Sequence, residues 1–143
     1  MTQDPFQPPQ APLESSEAAR AVDLKSAKRY IVGAFVIGVA EVFDASNLIK
    51  NSGEIGGISI AVSIAELLWF IVSIYVLFKV EHRGTKMLAA FFVAYNVLGW
   101  IVGSMWVEGD TMPFGLAVAG GVIGLAYAVG AGFVGKPHLL KPK

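Results

Sequence analysis

Residues 30–49 read YIVGAFVIGVAEVFDASNLI. The stretch is long enough to cross the hydrocarbon layer of a bilayer as a helix, yet it carries Glu41 near its centre and Asp44 one turn later. Its ten Ile, Leu, Val and Phe residues contribute about −3 to −6 kcal/mol to insertion, whereas two ionised acids at mid-membrane cost about +5 to +7 kcal/mol. The balance is near zero or unfavourable, so this helix does not sit alone in lipid with both acids charged. It needs a proton, a bound cation, a water-filled cavity, or neighbouring helices that offer hydrogen bonds. The apolar spans of the chain contain no Lys, Arg or His, which excludes an ion pair within one copy.

Working outward, three more apolar spans follow. The chain of 143 residues is 55% hydrophobic and 15% charged, with a mean hydropathy of +0.60. Those values belong to a polytopic membrane protein. The expected fold class is all-α: an integral membrane bundle of four transmembrane helices, at about 30–49, 57–78, 87–107 and 112–134, within a domain at 25–135. Residues 1–24 are polar, with four prolines in the first twelve, and read as a disordered Pro/Gln-rich tail in which Ser15–Lys28 forms a helical lead-in to the first span. Residues 136–143 read as a short basic tail. No apolar core follows a basic start, so a signal peptide is not expected. There is no Cys, which removes disulfides and thiolate metal sites. Eleven basic residues balance eleven acids, and no basic face for nucleic acid is formed.

The placement of charge sets an orientation. Arg20, Lys25, Lys28, Arg29, Lys79, Arg83, Lys86, Lys136, Lys141 and Lys143 fall on one face of the four-span layout, and Lys50 alone on the other. The positive-inside rule therefore expects both termini and the 79–86 connection in the cytoplasm. The short connections are expected to make successive helices antiparallel neighbours.

The second span holds Glu66, with Ser59, Ser63 and Ser73 on the same side of the helix, a polar stripe that must face protein or water. The third centres on Asn96, with Gly99 and Gly103 spaced for close helix approach. Tyr95 and Trp100 read as packing aromatics, and Trp106 as an interface anchor. In the fourth span Gly120, Gly124, Ala128 and Gly132 make a small-residue seam, and Tyr127 is the main polar group. The candidate site is thus Glu41, Asp44 and Glu66, supported by Ser63, Asn96 and Tyr127. Ala34, Gly38 and Ala45 lie near the face of the first two acids and leave room for a neighbour. Three carboxyls near one midplane repel if all are ionised, so at least one is expected to hold a proton at neutral pH. Such groups suit a proton-coupled carrier, or the binding of a metal or organic cation. They equally suit helix assembly, as hydrogen-bond donors within the bundle or to a partner chain. Which metal, if any, they would hold is left open.

Ala40-Glu41-Val42, followed by Lys50, Ser52 and Gly53, resembles the first helix of the small multidrug resistance transporters. In that family the embedded Glu binds protons and cationic drugs alternately in a dimer of four-helix chains, and the resemblance implies that Glu41 is the coupling acid. This chain differs in its polar tail, in Asp44 and in Glu66. The DPFQPPQAP opening resembles the proline-rich start of many small bacterial inner-membrane proteins. An enzyme is not expected: His82 and His138 lie outside the spans, Glu81-His82-Arg83 reads as a solvated loop, and neither a nucleophile–base pair nor a phosphate-binding loop is present. No cofactor is expected. The expected function is an oligomeric proton- or cation-coupled transporter or channel of the inner membrane. The alternative is a non-catalytic accessory, immunity or interaction subunit whose acids mediate assembly. Partners would be the lipid bilayer and either a second copy or another membrane protein.

Overall fold

A computed structural model describes residues 11–106 and 111–139. Four helices occupy them: α1 (Ala11–Lys50), α2 (Gly57–Lys79), α3 (Arg83–Trp106) and α4 (Phe114–Leu139). Each is long and apolar enough to cross a membrane. At 1.5 Å per residue, α2 and α3 run for about 35 Å, the thickness of a hydrocarbon core with a margin. The chain turns its apolar surface outward: Val32, Phe35, Val36, Val39 and Phe43 on α1 and Phe78 on α2 are all exposed. That is the arrangement expected where acyl tails, not water, cover the outside.

The helix boundaries lie near the expected spans, with extensions: α3 begins at Arg83, four residues early, and α4 runs on to Leu139, so residues 136–139 of the expected tail are helical. α1 runs back to Ala11, so residues 11–24, expected as disordered tail, are helical. The composition explains the difference. Pro12 sits in the first turn, where its missing N–H costs nothing. The residues that follow, ESSEAARA, are dominated by good helix formers. The lead-in reading of Ser15–Lys28 was thus closer than the tail reading. Residues 1–10 and 140–143 lie outside the described residues.

The ends of the helices fix the topology. Glu81 N–H donates to Asp23 Oδ1 at 2.9 Å, which brings the end of α2 against the first half of α1. A Cβ on Gly84 would meet Val134, which brings the start of α3 to the end of α4. At the opposite end Met112 N–H donates to Gly53 O at 2.8 Å, beside an isolated antiparallel bridge between Glu54 and Thr111. The helices therefore run up and down in turn. The first and last helix ends share one end of the bundle (the terminal end), and residues 51–56 and 111–113 share the other (the loop end). α1 stops at the loop end through a left-handed turn at Ser52 (φ 55°) and Gly53 (φ 85°), which lets Gly53 N–H reach back to Leu48 O at 2.7 Å. The Glu81-His82-Arg83 run is not a free loop. His82 Nδ1 accepts the Thr85 N–H at 3.2 Å and caps α3, and Arg83 is already helical.

Sequence neighbours are not the main packing partners. The most extensive contact is between α1 and α4, because only these two helices carry facing small residues. A Cβ on Gly38 would stand 2.6 Å from Gly124 O and 2.7 Å from Ala128 N, and one on Gly124 would stand 2.5 Å from Glu41 Cβ. One on Gly121 would stand 2.9 Å from Ala45 Cβ. The α4 seam expected from Gly120, Gly124 and Ala128 is therefore occupied by α1, but it ends before Gly132, whose Cβ position is open. The Gly99/Gly103 pair does not pack as expected: nothing lies within 4 Å of either Cβ position, because α3 touches α1 and α4 little. Buried apolar residues gather at the terminal half, where Ala27, Tyr30, Ile31, Ala34, Val76, Val80, Ala89, Phe92 and Ala131 form one cluster.

Replacing Gly124 with Ala is expected to force α1 and α4 apart and to cost about 1–3 kcal/mol, as for other overpacked cores, read as a lower unfolding midpoint in detergent. Gly132→Ala meets open space and is expected to leave the midpoint unchanged.

Candidate functional site

The loop half of the bundle is hollow. A cavity of about 690 Å³ lies between the four helices, and Glu41, Asp44, Glu66, Ser63 and Asn96 all line it. The three acids expected to form a site thus converge on one space. Its other walls are mostly apolar or small: Leu48, Leu67, Leu98, Trp100, Leu116, Ile123, and the glycines 99, 103 and 120. The open Cβ positions of Gly99 and Gly103 are explained by this cavity rather than by a neighbouring helix.

Each acid is held differently. Glu41 is buried, at 9% exposure. Its Oε2 accepts from Tyr95 OH at 3.4 Å, and its Oε1 is buried with no hydrogen-bond partner. Gly120 leaves the space in front of it open: a Cβ there would stand 3.8 Å from Oε2 and 3.6 Å from the Tyr95 hydroxyl. The half-buried Glu66 carboxyl lies beside that of Glu41, without giving Oε1 the geometry of a hydrogen bond. Asp44 is half-buried and accepts from Ser59 Oγ at 2.6 Å. A buried polar oxygen without a protein partner costs on the order of 1–3 kcal/mol, which makes Oε1 the acceptor that the surrounding side chains leave unmatched. Among the described residues no group of three or more His, Cys, Asp or Glu side chains is placed to hold a metal ion.

The supporting residues divide. Asn96 is buried, lines the cavity and spends one donor on Phe92 O at 3.1 Å. Ser63 lines the cavity from an exposed position. Tyr127 does not line it, and its expected support of the acids is corrected: its hydroxyl is held in the terminal half by Tyr30 OH at 3.1 Å and Trp69 Nε1–H at 3.2 Å. Two helical turns separate Tyr127 from Gly120, about 10 Å along α4, which puts its ring below the acids. The polar stripe on α2 likewise splits by depth. Ser59 serves Asp44, Glu66 faces Glu41, and Ser73 turns to Tyr30 at 2.6 Å.

Two functional neighbours were missed by the sequence. Tyr95 reads as a packing aromatic, yet it donates to Glu41; its place beside Asn96 is the signal that it belongs to the same inward arc. Ser59 belongs to the stripe, and its place two residues into α2 sets it level with Asp44 near the end of the antiparallel α1. Trp100 stacks at a tilt on Phe70, with ring centroids 5.0 Å apart, as a packing role requires. Trp106 is exposed, while Glu108 and Asp110 beside it lie outside the described residues.

Comparison of the chain with family models, with characterised proteins and with solved structures gives no match.

Ser59→Ala removes the Ser59–Asp44 hydrogen bond and is expected to lower stability by about 1–3 kcal/mol in a detergent melt. Ser63→Ala, at an exposed wall position, is expected to leave the melt unaltered.

Proposed function

We propose that this chain is a small multi-pass protein of the inner membrane, with both termini cytoplasmic, that works as an oligomeric proton- or cation-coupled transporter or ion-conducting protein. Glu41, Asp44 and Glu66 are its binding groups. One observation carries the reading: all three carboxyls line one cavity, while Oε1 of the most buried of them has no partner. Like charges side by side in a poorly solvated space repel, and a proton or a bound cation relieves the repulsion. A group that gains and loses such a partner is what coupled transport requires. The orientation rests on the basic residues, ten of which fall on one face of the span layout. The resemblance of Ala40-Glu41-Val42 to small multidrug resistance transporters assigns the coupling role to Glu41.

A second reading, an accessory or interaction subunit, is favoured by one feature. Gly99 and Gly103 offer a strip without side chains beside the acids, into which a helix of another membrane protein would fit.

Proteoliposomes holding a pH-sensitive dye separate the two. Under an imposed membrane potential, Glu41→Gln is expected to reduce proton flux by roughly tenfold or more, as for loss of an essential proton-transfer group, with unchanged migration on size exclusion. Unaltered flux in that variant overturns the transport reading. Changed co-purification with another membrane protein, at unaltered flux, is the outcome expected of the subunit reading.

A further inference from the structure

Between the acid cavity and the terminal end the bundle is closed by a layer with its own hydrogen-bond logic. Trp69 Nε1–H donates to Tyr127 OH at 3.2 Å. Tyr127 and Tyr30 hydroxyls lie 3.1 Å apart, Tyr30 OH and Ser73 Oγ 2.6 Å apart, and Ser73 Oγ–H donates to Trp69 O at 2.8 Å. Reading the two hydroxyl contacts in the direction that leaves no donor idle gives a closed circuit. Trp69 donates to Tyr127, Tyr127 to Tyr30, Tyr30 to Ser73, and Ser73 back to the Trp69 carbonyl. Three helices are joined by it. The rings add cover: Tyr30 stacks on Trp69 with centroids 4.8 Å apart, and Phe92 of α3 leans on Tyr127 at 5.1 Å. Tyr30, Ser73, Phe92 and Tyr127 are each 3% exposed or less.

Position gives this layer a meaning beyond packing. Ser73 lies seven residues past Glu66 on α2, and Tyr127 seven past Gly120 on α4, about 10 Å toward the terminal end in both cases. Among the described residues the loop end shows no comparable layer of stacked rings. There the connections are joined by the Met112–Gly53 hydrogen bond and the Glu54–Thr111 bridge, and the cavity wall reaches Met112 itself. We infer that the Trp69–Tyr127–Tyr30–Ser73 circuit is the gate of the acid cavity on the terminal face, and that water reaches the acids from the loop face. The inference rests on the transport reading for its purpose, since a pathway with one closed end moves its cargo only when that end opens. Its geometry stands without it.

The absence of cysteine from the chain makes the test direct. Gly99→Cys places a thiol on the cavity wall where a Cβ meets open space. Vesicles of both orientations, sorted by protease access to an N-terminal tag, are treated with a membrane-impermeant maleimide. Labelling is expected from the loop face and roughly tenfold slower from the terminal face. Adding Tyr30→Phe with Tyr127→Phe removes two links, each worth about 1–3 kcal/mol when its partners stay buried, and is expected to raise terminal-face labelling by roughly tenfold. Equal labelling from both faces of the single-cysteine protein, or none from the loop face, overturns the inference. So does terminal-face labelling that stays slow when the circuit is broken. If the double variant does not fold, Ser73→Ala, which cuts the circuit at its smallest member, decides the same point. Labelling does not depend on flux, so a failed gate and a failed transport reading give different results.

Discussion

Glu41 can be buried because the helix opposite it has no side chain there. Gly124 brings the α4 backbone against the Glu41 stem, and Gly38 and Ala128 continue the contact one turn further along. This approach shuts out lipid on one side of the carboxyl, and the remaining sides are given to Tyr95, Glu66 and the cavity. The seam that makes α1 and α4 the main pair also leaves α3 with little to hold. A cavity remains where α3, packed on α2, stands off from α1 and α4. Close packing at one place and open space at another are two results of the same glycine positions.

The terminal half and the loop half then follow different chemistry. Below the acids, large rings and matched hydroxyls fill the space, and the hydrogen-bond groups of Trp69, Ser73, Tyr30 and Tyr127 are all engaged. Around the acids, glycines and a few aliphatic side chains leave room, and Glu41 Oε1 has no partner. The first is the condition of a settled core. The second is the condition of a binding space, where preorganised polar groups wait on a thinly solvated surface. That contrast along a single bundle is the physical basis of the transport proposal.

Much of this was legible in the residues. Apolar run lengths gave four spans within a few positions, because the cost of unpaired backbone in lipid leaves helix as the only economical form for such runs. The acids were expected to turn away from acyl chains, since each is too expensive there, whereas their sharing one space is a product of the fold. What the sequence did not disclose was pairing. Gly99 and Gly103 have the spacing of a packing motif, but spacing says only that a neighbour would fit, and here the neighbouring space is cavity. On α4 the same spacing divides: Gly124 is filled by α1, where Gly38 supplies the matching recess, whereas Gly120 borders the cavity. Tyr127 looked like support for the acids because both sit mid-span. Its depth relative to Glu41 depends on how far antiparallel helices slide past one another, and the periodicity of a single helix carries no such offset. The early start of α1 was hidden by the prolines ahead of it, which weigh on composition without reaching past the first helical turn.

The Met112–Gly53 hydrogen bond and its neighbouring bridge are a slight fastening for so long a pair of hairpins. One backbone hydrogen bond is worth about 1 kcal/mol, a small multiple of thermal energy. The seam between α1 and α4, however, runs on past Glu41 to Ala45 and Gly121, so these two helices are joined along the loop half as well. α3 meets them sparsely, and a shift of α3 would change the room around Glu41 before it disturbed that seam.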